Sequence, residues 1–310
     1  MIKLSNGHSF EYMTASGALG FDGEGWLWEK PLVALKIMKP ELFTIVLRTL
    51  TLKPRLYPVS NLSWIRPWTW LPWSPYSCVR LLPNGGAVNK VGLYNPGIEH
   101  WQEKIAPKMR FQTLRLVGSI YGERHELVDL AERLNWYNLV ALEINVSCSN
   151  TGRAMDAARE VVESVRAVKA VSRHPIIIKL LYDQDCIAIA QGATGYAEAV
   201  SLNSVPWKYV FSLTTSPLDK IGKSGSGGGG VSGPPSRPHN WKVVEELAKD
   251  DSLPVIGPSV MDFEDLVALR QLGAKAISFG TIHLRTPWKP TQIVEKELAV
   301  RRSLVSLVSS

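Results

Sequence analysis

The sequence predicts an α/β fold, a closed (β/α)8 barrel of the TIM type in a single domain. Short apolar runs alternate with longer segments of helical period, and about eight such units follow one another. The 310 residues comfortably exceed the ~250 that one barrel requires. An open doubly wound sheet is the second architecture compatible with this alternation.

The strands are expected at Phe10–Ala15, Phe43–Thr49, Thr113–Val117, Leu139–Val146, Pro175–Leu180, Glu198–Leu202, Leu253–Gly257 and Ala276–Gly280. Several contain nearly continuous apolar runs (IIIKL, LPVIG, AISFG), which suits parallel strands buried on both faces. Glu123–Leu134 and Ala154–Val171 place apolar residues three and four apart, the spacing of one helix face. Trp241–Ala248 and Phe263–Leu272 repeat that spacing near the end. Functional groups are then expected in the βα loops, at the C-terminal ends of the strands. Two loops stand apart. Residues 57–83 carry Trp64, Trp68, Trp70 and Trp73 among prolines, which bars a regular helix or a central strand. Residues 221–233 (IGKSGSGGGGVSG) have the composition of a flexible loop.

A formal net charge of +7 favours anionic ligands, but the basic residues are scattered and no Lys/Arg-rich run suggests nucleic-acid binding. Three cysteines, Cys78, Cys148 and Cys186, without paired spacing argue against a disulfide framework and against a zinc site, so no metal is expected. The polar N-terminus and the absence of any long apolar stretch suggest a cytoplasmic protein with no membrane role.

The segment Asn145-Val-Ser-Cys148-Ser-Asn150-Thr closes a buried strand. A thiol at a barrel strand's C-terminal end can act as nucleophile or base, with asparagine amides orienting a polar substrate. By residue type alone, a strand cysteine is more often a small buried hydrophobe. A glycine run such as 227–230 is by composition equally a solvated linker.

NVSCSNT resembles the N-x-S-C-P-N motif of the soluble, cysteine-base dihydroorotate dehydrogenases. Further segments resemble that family in the family's order: TASGALG at Thr14–Gly20, LRTLTLKPR at Leu47–Arg55, NKVGLYNPGI at Asn89–Ile98, and IIIKL ending in Lys179 and its neighbour Leu180. LNS ending in Asn203-Ser204, GGVSGPPSRP at Gly229–Pro238, and FGT at Phe279–Thr281 complete the series. The resemblance implies an FMN-dependent enzyme that oxidises dihydroorotate to orotate in pyrimidine biosynthesis, with Cys148 as the base. It implies substrate contacts from Asn89, Val91, Gly92, Leu93, Asn145, Asn150, Asn203 and Ser204. It implies cofactor contacts from Ala15, Ser16, Gly17, Arg48, Thr49 and Lys179, and from Gly229, Gly230, Ser232, Gly233, Gly257, Gly280 and Thr281 toward the phosphate. Fumarate, or NAD through a partner subunit, is the implied second oxidant, because the chain has neither a cysteine cluster for iron–sulfur binding nor a dinucleotide G-x-G-x-x-G unit. A homodimer is expected.

The chain departs from the family's pattern at four places. Arg48, a bulkier and planar cation, stands where the family has lysine. Ser149 replaces the proline after the cysteine, and Pro258-Ser259 replaces a glycine pair, removing one backbone N–H. The Trp-rich segment is longer and more aromatic, and reads as a lid, a subunit surface or an interfacial patch. Two other readings stay open: a related flavoenzyme acting on uracil-type rings, and a catalytically weak barrel that binds flavin or a phosphorylated ligand.

Overall fold

A computed structural model of the chain describes residues 1–55, 78–146, 158–219 and 228–308, with side chains described as far as 303. Eight parallel strands close into a barrel: β1 (Tyr12–Thr14), β2 (Thr44–Val46), β3 (Arg115–Ile120), β4 (Ala141–Asn145), β5 (Ile176–Leu180), β6 (Ala199–Leu202), β7 (Val255–Gly257) and β8 (Ala276–Phe279). Each pairs in parallel with its sequence neighbours, and β8 returns to β1 through Ile277–Tyr12 and Phe279–Thr14. All eight lie where the apolar runs place them. The third runs on to Ile120, past the Val117 that the hydropathy suggests, because Gly118 and Ser119 interrupt the apolar run without interrupting the pairing.

Alternation along each strand decides what the barrel encloses. Met13, Val46, Val117, Ala141, Ile177, Ala199, Ile256 and Ala276, one from each strand, meet in a single apolar cluster. Ile2, Leu4 and Phe10 join the same cluster from the short antiparallel pair Ile2–Lys3 and Ser9–Phe10. Two residues further along five of the strands, toward their C-terminal ends, the same face turns polar: Ser119, Glu143, Lys179, Ser201 and Ser278, all buried. A second and larger apolar cluster packs the outward faces of the strands against the surrounding helices.

Three of the expected helices appear at Arg124–Leu134, Ala158–Val171 and Phe263–Gln271. Residues 154–157 of the second expectation lie outside the described residues. The fourth, Arg237–Asp250, begins four residues earlier than the apolar period indicates, because Pro238 sits in its first turn, where a missing N–H costs nothing. The helices Cys186–Ala193 and Lys289–Val308 add to those read from the sequence. No described helix is long and apolar enough to cross a membrane.

One element departs from a plain barrel. A four-stranded antiparallel sheet assembles from two βα connections: Val79–Leu81 and Ala87–Asn89 lie between β2 and β3, while Val205–Pro206 and Gly230–Ser232 lie between β6 and β7. It joins opposite sides of the barrel mouth.

The interior layer gives a direct test. Ile177→Ala removes a fully buried side chain from a closed ring of packed neighbours, and should lower unfolding stability by about 2–5 kcal/mol. Denaturant unfolding with an unchanged midpoint would show that this layer is not close-packed.

Candidate active site

The C-terminal ends of the strands surround a cavity of about 270 Å³. Most of the residues expected to touch a ligand converge on it: Ala15, Ser16, Gly17, Arg48, Thr49 and Lys179 from β1, β2, β5 and the turns after them; Asn89, Val91, Gly92 and Leu93 from the β2–β3 connection; Asn145 at the end of β4; Asn203 and Ser204 after β6; and Ser232, Gly233, Gly280 and Thr281 from the last loops. Cys148 and Asn150 lie outside the described residues, as do Ser149, the four tryptophans of the 57–83 loop, and residues 220–227.

Three expected glycines do not line the cavity, and each has a packing reason. A Cβ on Gly257 would lie 2.9 Å from Leu269, so this residue admits the helix behind β7. A Cβ on Gly229 would lie 2.6 Å from the Asn89 carbonyl, and one on Gly230 would strike the Ser204 hydroxyl. These two let Gly230–Ser232 pair closely with Ala87–Asn89, where Asn89 Nδ2 donates to the Gly230 carbonyl at 3.2 Å.

Beneath the cavity runs a continuous polar network. Ser16 Oγ is 3.0 Å from Thr49 Oγ1, which is 2.8 Å from Ser119 Oγ and accepts from Asn145 Nδ2 at 3.3 Å. Ser119 donates to Glu143 Oε1 at 3.0 Å and Ser201 to Glu143 Oε2 at 3.2 Å. Lys179 Nζ lies 3.5 Å from Glu143 Oε1, with both side chains nearly inaccessible. Lys179 is therefore both an ion-pair partner and a cavity residue. Arg48 Nε donates to the Tyr94 carbonyl at 3.0 Å, and its guanidinium lies 5.3 Å from the Phe21 ring. Burial lowers its pKa to about 10, partly opposed by the neighbouring Cys78 and Tyr94, which leaves it cationic at neutral pH.

The last loops form a separate wall. Ser232 and Thr281 hydroxyls meet at 2.6 Å, and Gly233 is left-handed (φ +81°), with room for a Cβ only 3.1 Å from Thr281. Pro258-Ser259 lines the same wall, with Ser259 also left-handed (φ +71°). His283 is buried against it, and neither ring nitrogen meets a partner among the described residues. Burial pushes its pKa down to about 4, so it is neutral and offers one donor and one acceptor. A cavity with two cations, paired hydroxyls, glycine-permitted backbone and an unsatisfied neutral imidazole fits a flat, polar, phosphorylated cofactor.

Several cavity residues were not singled out from the sequence. Glu143, beneath the cavity, is legible: Ala141, Glu143 and Asn145 alternate on one face of a strand, which points the carboxylate inward. Trp26 and Trp28, stacked with centroids 5.5 Å apart, form another wall and carried no motif. Asn240 and His283 owe their places to long-range packing.

A family model for dihydroorotate dehydrogenase matches residues 78–301. The "dihydroorotate dehydrogenase B (NAD(+)), catalytic subunit" of Caldicellulosiruptor saccharolyticus is 33% identical over 222 residues, covering 68% of this chain and 71% of that protein. Proteins of the same description are 29% identical over 303 residues in Thermoanaerobacter sp. (strain X514), covering 95% of this chain and 89% of that protein, and 32% identical over 291 residues in Desulforudis audaxviator, covering 89% and 83%. The family matched and the relatives define an oxidoreductase. The chain belongs to the dihydroorotate dehydrogenase family.

Two outcomes test the site's electrostatics. Glu143→Leu strips a buried ammonium of its counter-charge and should cost roughly 3–5 kcal/mol in denaturant unfolding; a neutral effect would mean that water, not Glu143, compensates Lys179. Glu29 is buried beside the Trp26–Trp28 wall and accepts the Trp26 N–H at 2.8 Å, and burial raises its pKa to about 7. Its neutral form is therefore the one the fold favours. That stabilisation is complete below the unfolded carboxyl's value near 4.5 and is lost as pH rises through about 7. Hydrogen exchange in residues 22–35, corrected for its intrinsic pH dependence, should quicken between pH 5 and 8, and Glu29→Gln should flatten that profile. Identical profiles would remove Glu29 from control of the wall.

Proposed function

We propose that this chain oxidises dihydroorotate to orotate with FMN held across the barrel mouth and Cys148 as the proton-abstracting base. The observation that carries the reading is the convergence of Asn89, Asn145, Asn203 and Lys179, from four separate connections and strands, on one cavity. Three carboxamides present paired donors and acceptors, the pattern needed to grip a flat ring bearing amide and carboxylate edges. A ligand lacking those edges would leave buried groups unmet, which is a strong basis for rejection.

Gly233, Gly280 and Thr281, with Ser232, would hold the cofactor's phosphate, while Ala15, Ser16, Gly17, Thr49 and Lys179 would contact its ring. When bound, FMN supplies the acceptor for the hydride that leaves substrate C6. Cys148 takes the proton from C5, and Asn145, three residues before it, helps orient the ring so that this hydrogen faces the thiol. A free thiol's pKa near ~8.5 requires tuning for work at neutral pH, and the cations Lys179 and Arg48 lie on the cavity wall. Lys179 supplies positive charge without a net cost to the barrel, because Glu143 balances it beneath. The relatives' description as NAD(+)-linked catalytic subunits supports a second oxidant reached through a partner subunit.

Purified protein is expected to be yellow, and dihydroorotate should bleach it without oxygen. Cys148→Ala should retain FMN and slow that bleaching roughly 10²–10⁴-fold. Bleaching at the unmodified rate would exclude Cys148 as the base, and a colourless protein that takes up no FMN would overturn the whole reading.

A further inference from the structure

Asn240 stands in the first turn of the helix Arg237–Asp250, is 1% exposed, and lines the cavity. Its Nδ2 donates to the Asn203 main-chain carbonyl at 3.0 Å. That bond settles which end of the amide is which, since a carbonyl oxygen there would meet another acceptor. The other end, Oδ1, is buried and meets no donor among the described residues. Buried acceptors are rarely left unmet, so a ligand in the cavity is the natural source of the missing donor.

The chemistry of that donor is restricted. Phosphate and carboxylate oxygens only accept, and so cannot satisfy Oδ1. A hydroxyl or an N–H can. Position restricts it further. Asn240 holds Asn203, on the side assigned above to the ring and the substrate. The adjacent Trp241 donates from Nε1 to the Pro258 carbonyl at 3.0 Å, in the turn that continues to Ser259 on the wall assigned to the phosphate. The part of FMN lying between its ring and its phosphate is a chain of neutral hydroxyls.

We propose that Asn240 is a further cofactor-binding residue, whose Oδ1 accepts a hydrogen bond from a hydroxyl of the cofactor's ribityl chain. This rests on the flavin reading of the cavity, and it explains why a polar side chain occupies a fully buried place in a helix whose other buried positions include Val243, Val244 and Leu247. The same amide, through Nδ2, fixes the backbone that carries Asn203, so one side chain couples the cofactor's chain to the substrate's wall.

The test uses cofactor-stripped protein titrated with FMN, riboflavin and lumiflavin, the last being a flavin ring without the hydroxylated chain. Asn240→Ala and the shape-conserving Asn240→Leu should each weaken FMN and riboflavin by about tenfold, as expected for one buried hydrogen bond, and leave lumiflavin within twofold. Thermal unfolding of each stripped variant checks that the barrel persists. Unchanged FMN and riboflavin affinities would overturn the proposal. So would equal weakening of all three flavins, which would mean that Asn240 acts only through Asn203, or weakening of FMN alone, which would move the contact to the phosphate. Unmodified protein that binds none of the three would instead sink the flavin reading itself.

Discussion

The site depends on a charged pair enclosed by the barrel. Lys179 and Glu143 occupy inward positions on adjacent strands, each two residues beyond a member of a layer of pure hydrocarbon. A lone ammonium there would carry an effective desolvation penalty on the order of several kcal/mol. Glu143 offsets it, and Ser119 and Ser201 donate to the carboxylate oxygens. The four side chains come from β3, β4, β5 and β6, so half the strands are tied together at the level where the cavity begins. Such a pair adds little net stability compared with well-packed hydrocarbon. What it supplies is a cation held at a fixed place on the cavity wall, inside a protein that would otherwise expel it.

The second constraint is the antiparallel sheet that bridges the mouth. A plain barrel leaves its βα loops independent. Here Gly230–Ser232 pairs with Ala87–Asn89, so the connection after β2 and the connection after β6 become one structure. The glycines at 229 and 230 are spent on this junction: side chains there would collide with Asn89 and Ser204. The pairing also places Asn89 and Ser204 on one wall although 115 positions separate them in the sequence. Cavity residues that derive from distant loops are thereby held by strand pairing across the mouth.

Much of this was legible in the residues, and the limits have physical causes. Eight buried parallel strands announce themselves as apolar runs because both of their faces are covered. The site loops were legible because motifs at strand ends have few alternative locations in a barrel. Glu143 is legible too, since period-two alternation aims it inward with Ala141 and Asn145. The glycines at 229, 230 and 257 are ambiguous by type, because glycine serves close packing and ligand approach equally well; their neighbours show close packing. Asn240 and His283 sit in helices, where nothing local marks a buried polar residue as facing a ligand. Cys148, Asn150 and the tryptophans of the 57–83 loop lie outside the described residues, and their roles rest on sequence.

The departure at Pro258-Ser259 illustrates how the mouth tolerates change. A glycine pair would enter a left-handed turn freely, whereas serine at φ +71° is held against its preference. The helix start behind it supplies the restraint. Ser236 Oγ donates to the Gly233 carbonyl at 2.8 Å, so its contact with Ser259 at 2.9 Å must use the Ser259 proton. Arg237 Nε donates to the Ser259 carbonyl at 3.1 Å, and Trp241 Nε1 to that of Pro258. Three bonds from one helical segment thus hold a turn that its own residues do not favour. Pro258 has no N–H to offer, so the phosphate site proposed above would draw on the backbone and hydroxyls of Ser232, Gly233, Gly280 and Thr281. The neutral His283 beside them would add a donor from a side chain that burial keeps uncharged.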